Sequence, residues 1–244
     1  SYDQSGHMNQ KGKSKGGKVR GSDSRGITTR VKSAKGRKTS STNWLKRQLN
    51  DPYVQEAQRL GYRSRAAFKL LELDDRFHFL SRGKRILDLG AAPGGWSQVA
   101  VARAKSETSS GCVVSLDISE MDDVPGATVL QGDFMDEGAP ALLIEALNGP
   151  ADVVMSDMAA PSTGHTKTDH VRIMDLCETA LAFSYEVLAP KGVFIAKVLQ
   201  GGTEHKLLAE MKRRFAKVLH AKPPSSRKDS AEMYVVAIGF KGNP

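Results

Sequence analysis

Short apolar runs alternate with amphipathic segments from residue 85 to the end of the chain, and this alternation restricts the fold more than any other feature. The runs have the length and composition of buried strands, and most of the intervening segments carry apolar residues at helical spacing. We predict strands at 85–89, 112–116, 127–130, 152–156, 192–198, 218–222 and 233–239, with helices near 96–105, 138–147, 168–188 and 203–216. Strands joined by helices form an open, mostly parallel sheet with helices on both faces, a Rossmann-like α/β fold.

The last two predicted strands, 218–222 and 233–239, are an exception because no helix separates them. They are expected to pair as an antiparallel hairpin at one edge of the sheet. Ahead of the sheet, helical spacing predicts two helices at roughly 52–60 and 64–78. A chain of 244 residues that is 39% hydrophobic can bury one sizeable core, so we predict one domain of catalytic size.

The positive charge is concentrated at the N-terminus. Residues 1–50 hold 13 of the 36 lysines and arginines but two of the 27 acidic residues. Glycine, serine, threonine and basic residues dominate 8–42, which predicts disorder because such a segment buries little surface. We therefore predict a basic arm at 1–42, with 1–7 interpreted as a tag remnant, and a catalytic domain with N-terminal helices at 43–244. The arm is expected to bind phosphates, and a solubilising tail is the alternative.

Several classes of protein are disfavoured by what the sequence lacks. It has no run of 18 apolar residues and no signal-peptide pattern, which favours a cytoplasmic protein without membrane contact. Cys112 and Cys177 form no C-x-x-C pair, and His165 and His170 have no third ligand nearby, so no metal site is predicted. We expect a monomer.

The loop "GAAPGGW", from Gly90 to Trp96, follows the first predicted strand of the sheet. In folds of this class the first turn between strand and helix lets a ligand approach the backbone. Its glycines fall as G-x-x-x-G-G and not as the G-x-G-x-x-G of dinucleotide-binding folds, which disfavours NAD. The loop predicts a nucleotide-like ligand of another kind.

Acidic residues end the next three strands, at Asp117, Asp133 and Asp157. Asp117 is placed to accept hydrogen bonds from ribose hydroxyls, and Asp133 can bond an adenine amino group. Three carboxylates also favour a cation and repel a pyrophosphate. S-adenosylmethionine, a nucleoside that carries a sulfonium, fits these demands. Any one of these residues could instead cap a turn, but three at successive strand ends favour a binding site.

Charged residues also interrupt apolar segments at Lys69 in "SRAAFKLLEL", at Lys197 in "FIAKVLQGG" and at Glu232 in "EMYVVAIGF". A buried lysine is costly without a partner or a role. A lysine that extends to solvent and a glutamate at a sheet edge are the alternative interpretations.

Six segments between Ser64 and Phe240 together resemble the FtsJ/RrmJ (RlmE) family of ribosomal RNA 2′-O-methyltransferases. They are "SRAAFKL", "DLGAAPGGWSQ", "LQGDF", "VVMSDMA", "KVLQG" and "SSRKDSAEMYVVA". The resemblance implies that 43–244 is an S-adenosylmethionine-dependent methyltransferase domain, with a seven-stranded sheet whose last strand is antiparallel. It also implies methyl transfer to the ribose 2′-OH of a uridine in the A-loop of 23S ribosomal RNA, within the large ribosomal subunit.

The same resemblance assigns roles to individual residues. It implies a catalytic tetrad of Lys69, Asp157, Lys197 and Glu232, in which Lys197 accepts the proton, although a protonated Lys197 that orients the substrate is an open alternative. It implies cofactor contacts at Gly94, Trp96, Asp117, Asp133 and Asp157. The segment "AAPSTGHTKTDH" and the basic arm depart from the family pattern.

RNA is expected to reach this site over basic surface. The candidate contacts, besides the arm, are Arg59, Arg63, Arg65, Lys222, Arg227 and Lys228. A solvated charged face is the alternative for these residues. At the level of function, the alternatives are a 2′-O-methyltransferase that acts on transfer RNA or another RNA, and a non-catalytic RNA-binding assembly factor on the same fold.

Overall fold

The structure of the protein is a computed structural model that describes residues 39–201 and 203–243. The chain divides into two units, 1–50 and 51–244. The described part of the first unit is helix α1, Thr39–Asn50, which the sequence had not led us to expect. The predicted disorder of the arm up to residue 38 lies outside the described residues.

The second unit contains the remaining elements. Its helices are α2 (Pro52–Leu60), α3 (Ala66–Phe77), α4 (Gly95–Ala104), α5 (Ala139–Leu147), α6 (Thr166–Val187) and α7 (His205–Arg214). Its strands are β1 (Arg85–Leu89), β2 (Cys112–Asp117), β3 (Ala127–Gln131), β4 (Ala151–Ser156), β5 (Leu188–Leu199), β6 (Phe215–Ala221) and β7 (Glu232–Phe240). Within the described residues, even the longest of these helices is too short or too polar to span a membrane.

The seven strands form one sheet in the order β3-β2-β1-β4-β5-β7-β6. Strands β1 to β5 pair in parallel, and β7 is antiparallel to both of its neighbours, β5 and β6. The chain order reverses between β1 and β4, and in open α/β sheets ligands bind beyond the strand ends at such a point. The predicted Rossmann-like fold with an antiparallel last strand is confirmed.

Some boundaries differ from the prediction. Strand β6 begins at Phe215, three residues before the predicted start at 218, and α7 ends just before it. Phe215 is buried and pairs with Phe240 across the β6–β7 ladder, so packing places it in the strand. Strand β5 likewise begins at Leu188, where the helix before it ends.

The hydrophobic core lies on both faces of the sheet, as the alternation of side chains along a strand requires. Ile86 and Val153 pack on the face covered by α3 and α4, in one cluster with Trp96. Leu87 and Val154 pack on the opposite face, where α5, α6 and α7 contribute. A sheet buried on both sides explains why its strands read as continuous apolar runs.

A carboxyl group lies within this core. Asp88 of β1 is fully buried, and its Oδ2 accepts a 2.7 Å hydrogen bond from Ser97 Oγ of α4. The Ser97 hydroxyl also lies 2.6 Å from Ser115 Oγ of β2, while Asp88 Oδ1 has no hydrogen-bond partner among the described residues. The pKa of Asp88 is raised to about 7, mainly by burial and to a smaller extent by the charges of Asp157 and Asp117, against the opposing effect of the Ser97 hydrogen bond. The group therefore titrates near neutral pH.

We expect Asp88 to make the protein less stable as the pH rises from 5.5 to 8. A carboxyl group whose pKa is higher in the folded than in the unfolded chain holds an extra proton when folded, so the free energy of unfolding falls as pH rises. Urea unfolding should show that the parent loses about 2 kcal/mol more than Asp88→Asn over this range. Equal pH dependence in the two proteins would contradict the raised pKa.

Candidate active site

A cavity of about 300 Å³ opens beyond the carboxyl ends of the parallel strands. Its lining combines acidic, apolar and glycine residues from the end of β2, from the loops after β1, β2, β3 and β4, and from α6. They include Gly90, Asp117, Ile118, Asp133, Phe134, Asp157, Met158 and Leu176. The cavity thus lies where the reversal of strand order predicts a ligand.

The glycine loop enters this cavity through Gly90, which directly follows β1. Its φ of 76° lies in the left-handed region, which favours glycine. A Cβ atom on Gly90 would lie 2.7 Å from the backbone nitrogen of Met158 and 2.8 Å from its Cα. The loop after β1 therefore passes in close contact with the loop after β4, and both line the cavity.

Asp117 fixes the glycine loop from the neighbouring strand. Its Oδ2 accepts a 2.9 Å hydrogen bond from the Ala92 backbone nitrogen, and its Oδ1 accepts a 2.7 Å bond from the backbone nitrogen of Ser119. Asp133 similarly accepts a bond from the Met135 nitrogen at 2.9 Å. Both residues cap turns and line the cavity, so the two interpretations of these acids are compatible. A carboxylate has about four acceptor sites, which leaves capacity for a ligand.

Four charged side chains converge beside the cavity. The Lys197 ammonium lies 3.5 Å from Asp157 Oδ1 and 3.6 Å from Glu232 Oε1. The Lys69 ammonium lies 4.0 Å from the other oxygen of Glu232. These residues come from β5, the loop after β4, β7 and α3. The structure brings together all four residues of the tetrad that the sequence resemblance implied.

Asp157 connects this cluster to the cavity, because it lines the cavity and contacts Lys197. The hydroxyl of Tyr234, a fully buried residue of β7, donates a 2.7 Å hydrogen bond to Asp157 Oδ1. Lys197 also donates to the backbone oxygen of Asp157 at 3.4 Å. The carboxylate is thus held by groups from two adjacent strands.

The two lysines of the cluster have opposite pKa shifts. Burial lowers the pKa of Lys69, and the charges of Asp157 and Glu232 offset this effect only in part, while Lys197 and Arg65 add to it. Burial also acts to lower the pKa of Lys197, but the nearby charges of Asp157 and Glu232 and hydrogen bonds to them outweigh burial and raise it. Lys197 is therefore protonated at neutral pH.

Residues 62–240 match the family described as FtsJ-like methyltransferase. The chain belongs to this family. The matched region begins before α3 and ends with β7, so it includes the cavity and all four residues of the charged cluster.

This FtsJ-like methyltransferase is also similar to individual proteins, of which two relatives and one solved structure are described. Proteins of Paramagnetospirillum magneticum and Parvibaculum lavamentivorans, both named ribosomal RNA large subunit methyltransferase E, are each 60% identical to it. The alignments cover 95% of this chain and 98% of the first relative, and 93% and 92% for the second. A crystal structure described as a putative ribosomal RNA methyltransferase of Plasmodium falciparum is 30% identical with a TM-score of 0.66, over 75% of this chain and all of that one.

Two predicted cofactor contacts of the FtsJ-like methyltransferase lie outside the cavity lining. Trp96 is buried, donates from its indole nitrogen to the Ala66 carbonyl at 2.8 Å, and packs 5.5 Å from the Tyr234 ring. Gly94 is buried where a Cβ would meet the side chain of Arg63 at 3.0 Å. Their contact with a cofactor stays a prediction.

The basic residues predicted to bind RNA make different contacts within the protein. Arg63 donates to the backbone oxygens of Pro93, Asp122 and Asp123, and so braces the glycine loop. Arg59 pairs with Glu56 on the surface of α2. The remaining residues lie beside or within the connection between β6 and β7; they are Arg65, Lys222, Arg227 and Lys228. Contact of any of these six residues with RNA stays a prediction.

The sequence reasoning missed Tyr234 of the charged cluster and, in the core below the site, the buried carboxyl group of Asp88. Glu232 and Tyr234 are two positions apart on one strand, so they face the same side of the sheet. This spacing was visible in "EMY" and could have identified the tyrosine. Asp88 sits inside an apolar run, and nothing in the sequence indicates that its partner is Ser97.

We expect Gly90→Ala to lower the free energy of unfolding by more than Gly61→Ala, measured by urea denaturation. Both glycines have a positive φ, 76° at Gly90 and 80° at Gly61. A methyl group at Gly61 would have no other atom within 4 Å, whereas one at Gly90 would abut the Met158 backbone. The shared backbone penalty is about 1–2 kcal/mol, and the close contact adds to it only at Gly90. Equal losses of unfolding free energy in the two variants would show that the loops after β1 and β4 can move apart without an energetic cost.

Proposed function

We propose that this protein transfers a methyl group from S-adenosylmethionine to a ribose 2′-hydroxyl of large-subunit ribosomal RNA. One observation carries the proposal. Asp157 belongs both to a nucleoside-sized acidic cavity and to a cluster of two lysines and two carboxylates. A cofactor site and a proton-handling site therefore share one residue.

The residues of the cavity suit S-adenosylmethionine. Asp117 and Asp133 offer carboxylate oxygens to the hydroxyls and amino group of a nucleoside, and Ile118, with an exposed side chain, offers apolar contact to a base. The acidic lining favours a cation. When bound, this cofactor supplies a methyl group on a positively charged sulfur, which needs no metal for activation. Among the described residues, no cluster of three or more His, Cys, Asp or Glu side chains is arranged to hold a metal ion.

The charged cluster would orient a hydroxyl and take up its proton. Lys197 is the proposed acceptor, and Asp157 and Glu232 hold it in place. Because its pKa is raised, this role requires Lys197 to lose a proton before it can accept one. Lys69, whose pKa is lowered, is the second candidate for the acceptor.

The substrate follows from the relatives and from charge. Both bacterial relatives are named as large-subunit ribosomal RNA methyltransferases, and their alignments extend over nearly the whole chain. We infer a uridine ribose in the A-loop of 23S ribosomal RNA as the target, approached in the cytoplasm by a monomer. The basic arm, together with Lys222 and Lys228 in the connection that leads to Glu232, would contact phosphates. Methyl transfer to another RNA, such as transfer RNA, and RNA binding without catalysis are the alternatives.

The test of this function is incubation with methyl-labelled S-adenosylmethionine and one of three acceptors: isolated large subunits, naked ribosomal RNA or transfer RNA. Label on the ribose of a 23S uridine supports the proposal. Label on transfer RNA alone, or none on any acceptor, would contradict it.

We expect Asp117→Ala to weaken S-adenosylmethionine binding by roughly 1.5–3 kcal/mol, the contribution of hydrogen bonds to a charged group. Calorimetry measures this change. Asp122→Ala is the matched control, because it removes an exposed carboxylate from the same loop. Affinities that are equal in Asp117→Ala and the control would remove Asp117 from the cofactor site.

We expect Lys197→Ala to reduce single-turnover methyl transfer by about 10²–10⁴ while S-adenosylmethionine still binds. Lys197→Arg separates the two possible roles, because arginine keeps the charge but does not release its proton. A proton acceptor predicts that the arginine variant is as inactive as alanine, and an orienting cation predicts partial activity.

Lys69→Arg gives the matched comparison on the other lysine. If Lys197 accepts the proton, Lys69→Arg retains more activity than Lys197→Arg. The reverse order would identify Lys69 as the acceptor. Transfer at the parental rate by Lys197→Ala would exclude both proposed roles of Lys197.

A further inference from the structure

The connection between β6 and β7 is attached to the helical layer before the sheet. We define the β6–β7 loop as residues 222–231, which lead directly into Glu232. Ser225 in this loop is fully buried, and Ser226 is 9% exposed. A buried loop must satisfy its backbone polar groups, and this one does so with charged side chains.

Two residues of the α3 region bind the backbone of Ser225. Both carboxylate oxygens of Glu72 lie 2.9 Å from the Ser225 nitrogen, which donates to them. The Arg65 guanidinium donates to the Ser225 carbonyl oxygen at 2.7 Å. The donor and the acceptor of one loop residue are therefore satisfied by a negative and a positive side chain, and such charge-assisted bonds are stronger than neutral ones.

Asp51 completes the attachment from the start of α2. Its Oδ2 forms an ion pair with Arg65 Nε at 2.8 Å, although without the angle of a hydrogen bond, and lies 3.5 Å from the guanidinium of Arg227 in the loop. Its Oδ1 accepts a hydrogen bond from the Tyr53 nitrogen at 2.9 Å, which caps α2. Asp51 is thus tied to both helices and to the loop.

The positions of these contacts relate them to the charged cluster. Arg65, Lys69 and Glu72 are spaced by four and three residues, so they lie on one side of the α3 region. The two outer residues bind the β6–β7 loop, and Lys69 between them lies 4.0 Å from Glu232, which follows this loop. The loop and the cluster therefore meet the same side of α3.

We propose that Glu72 and Arg65 are positioning residues that hold Glu232 against Lys69 and Lys197 by fixing the β6–β7 loop on α3. This inference rests on the proposed function, because it concerns the geometry of its charged cluster. Glu232 is one third exposed and is the first residue of β7, where the sheet pairs it with Leu199 of β5 but not with a residue of β6. The attachment at Ser225 supplies the missing constraint.

The experiment compares Glu72→Ala and Glu72→Gln with the parent, using labelled S-adenosylmethionine and the RNA acceptor that the parent methylates. Asp75→Ala is the control, since it removes a neighbouring carboxylate of α3 that is 65% exposed and pairs only at the surface with Arg103. Single-turnover rates, cofactor affinity and the urea midpoint are measured for each protein. The alanine variant should transfer methyl groups about 10- to 100-fold more slowly at unchanged cofactor affinity, as expected for a small displacement of reacting groups.

Glu72→Gln keeps one oxygen that can accept from Ser225, so its rate should lie between those of the parent and Glu72→Ala. A role in stability alone predicts a lower urea midpoint without this ordered effect on rate. Arg65→Lys, which keeps the charge but loses the second donor, should slow transfer as well and provides the test if Glu72→Ala does not fold.

The outcomes distinguish this proposal from the function on which it rests. Parental transfer rates in Glu72→Ala, or in Arg65→Lys where the former does not fold, would overturn the positioning role and leave the function intact. A parent protein that methylates no RNA would overturn the function, and the positioning role with it.

Discussion

The burial of one lysine side chain governs the arrangement of the site. Lys197 is 8% exposed near the end of a strand whose neighbouring residues are apolar. An ammonium group removed from water requires compensating charge, and a single carboxylate on the same strand could not provide it from both sides. Asp157 and Glu232 provide it from the two neighbouring strands. Removal of either carboxylate leaves the lysine incompletely compensated.

The antiparallel strand β7 supplies one of these two carboxylates, Glu232. Because β7 runs antiparallel to its neighbour β5, its first residues lie beside the last residues of β5, and Leu199 pairs with Glu232. A strand parallel to β5 in this place would have brought its last residues, and not its first, next to Lys197. The reversal of one strand therefore brings Glu232 and Tyr234 to the carboxyl end of β4 and β5, where Asp157 lies.

The sequence predicts the fold better than the site, because strands can be recognised from neighbouring residues whereas the site depends on contacts between residues far apart in the chain. Strands buried on both faces appear as apolar runs whose limits can be read locally, as for β1 at 85–89. The position of Trp96 depended instead on partners far away in the chain, Ala66 and Tyr234. Arg65 appeared in the sequence as a basic residue for RNA, yet its partners are Asp51 and Ser225. Contacts between residues so distant in the chain leave no periodic pattern, although a family resemblance did indicate the four charged residues.

Asp157 links the cavity to the charged cluster, because it belongs to both. Its carboxylate raises the pKa of Lys197, accepts a hydrogen bond from Tyr234 and lines the cavity. A cation in the cavity would also be attracted by the Asp157 carboxylate, and it would repel the Lys197 ammonium directly. Such a ligand would therefore act to lower the pKa of Lys197, in opposition to Asp157 and Glu232. A cationic ligand and the proton on Lys197 would thus oppose each other through their shared neighbour, Asp157.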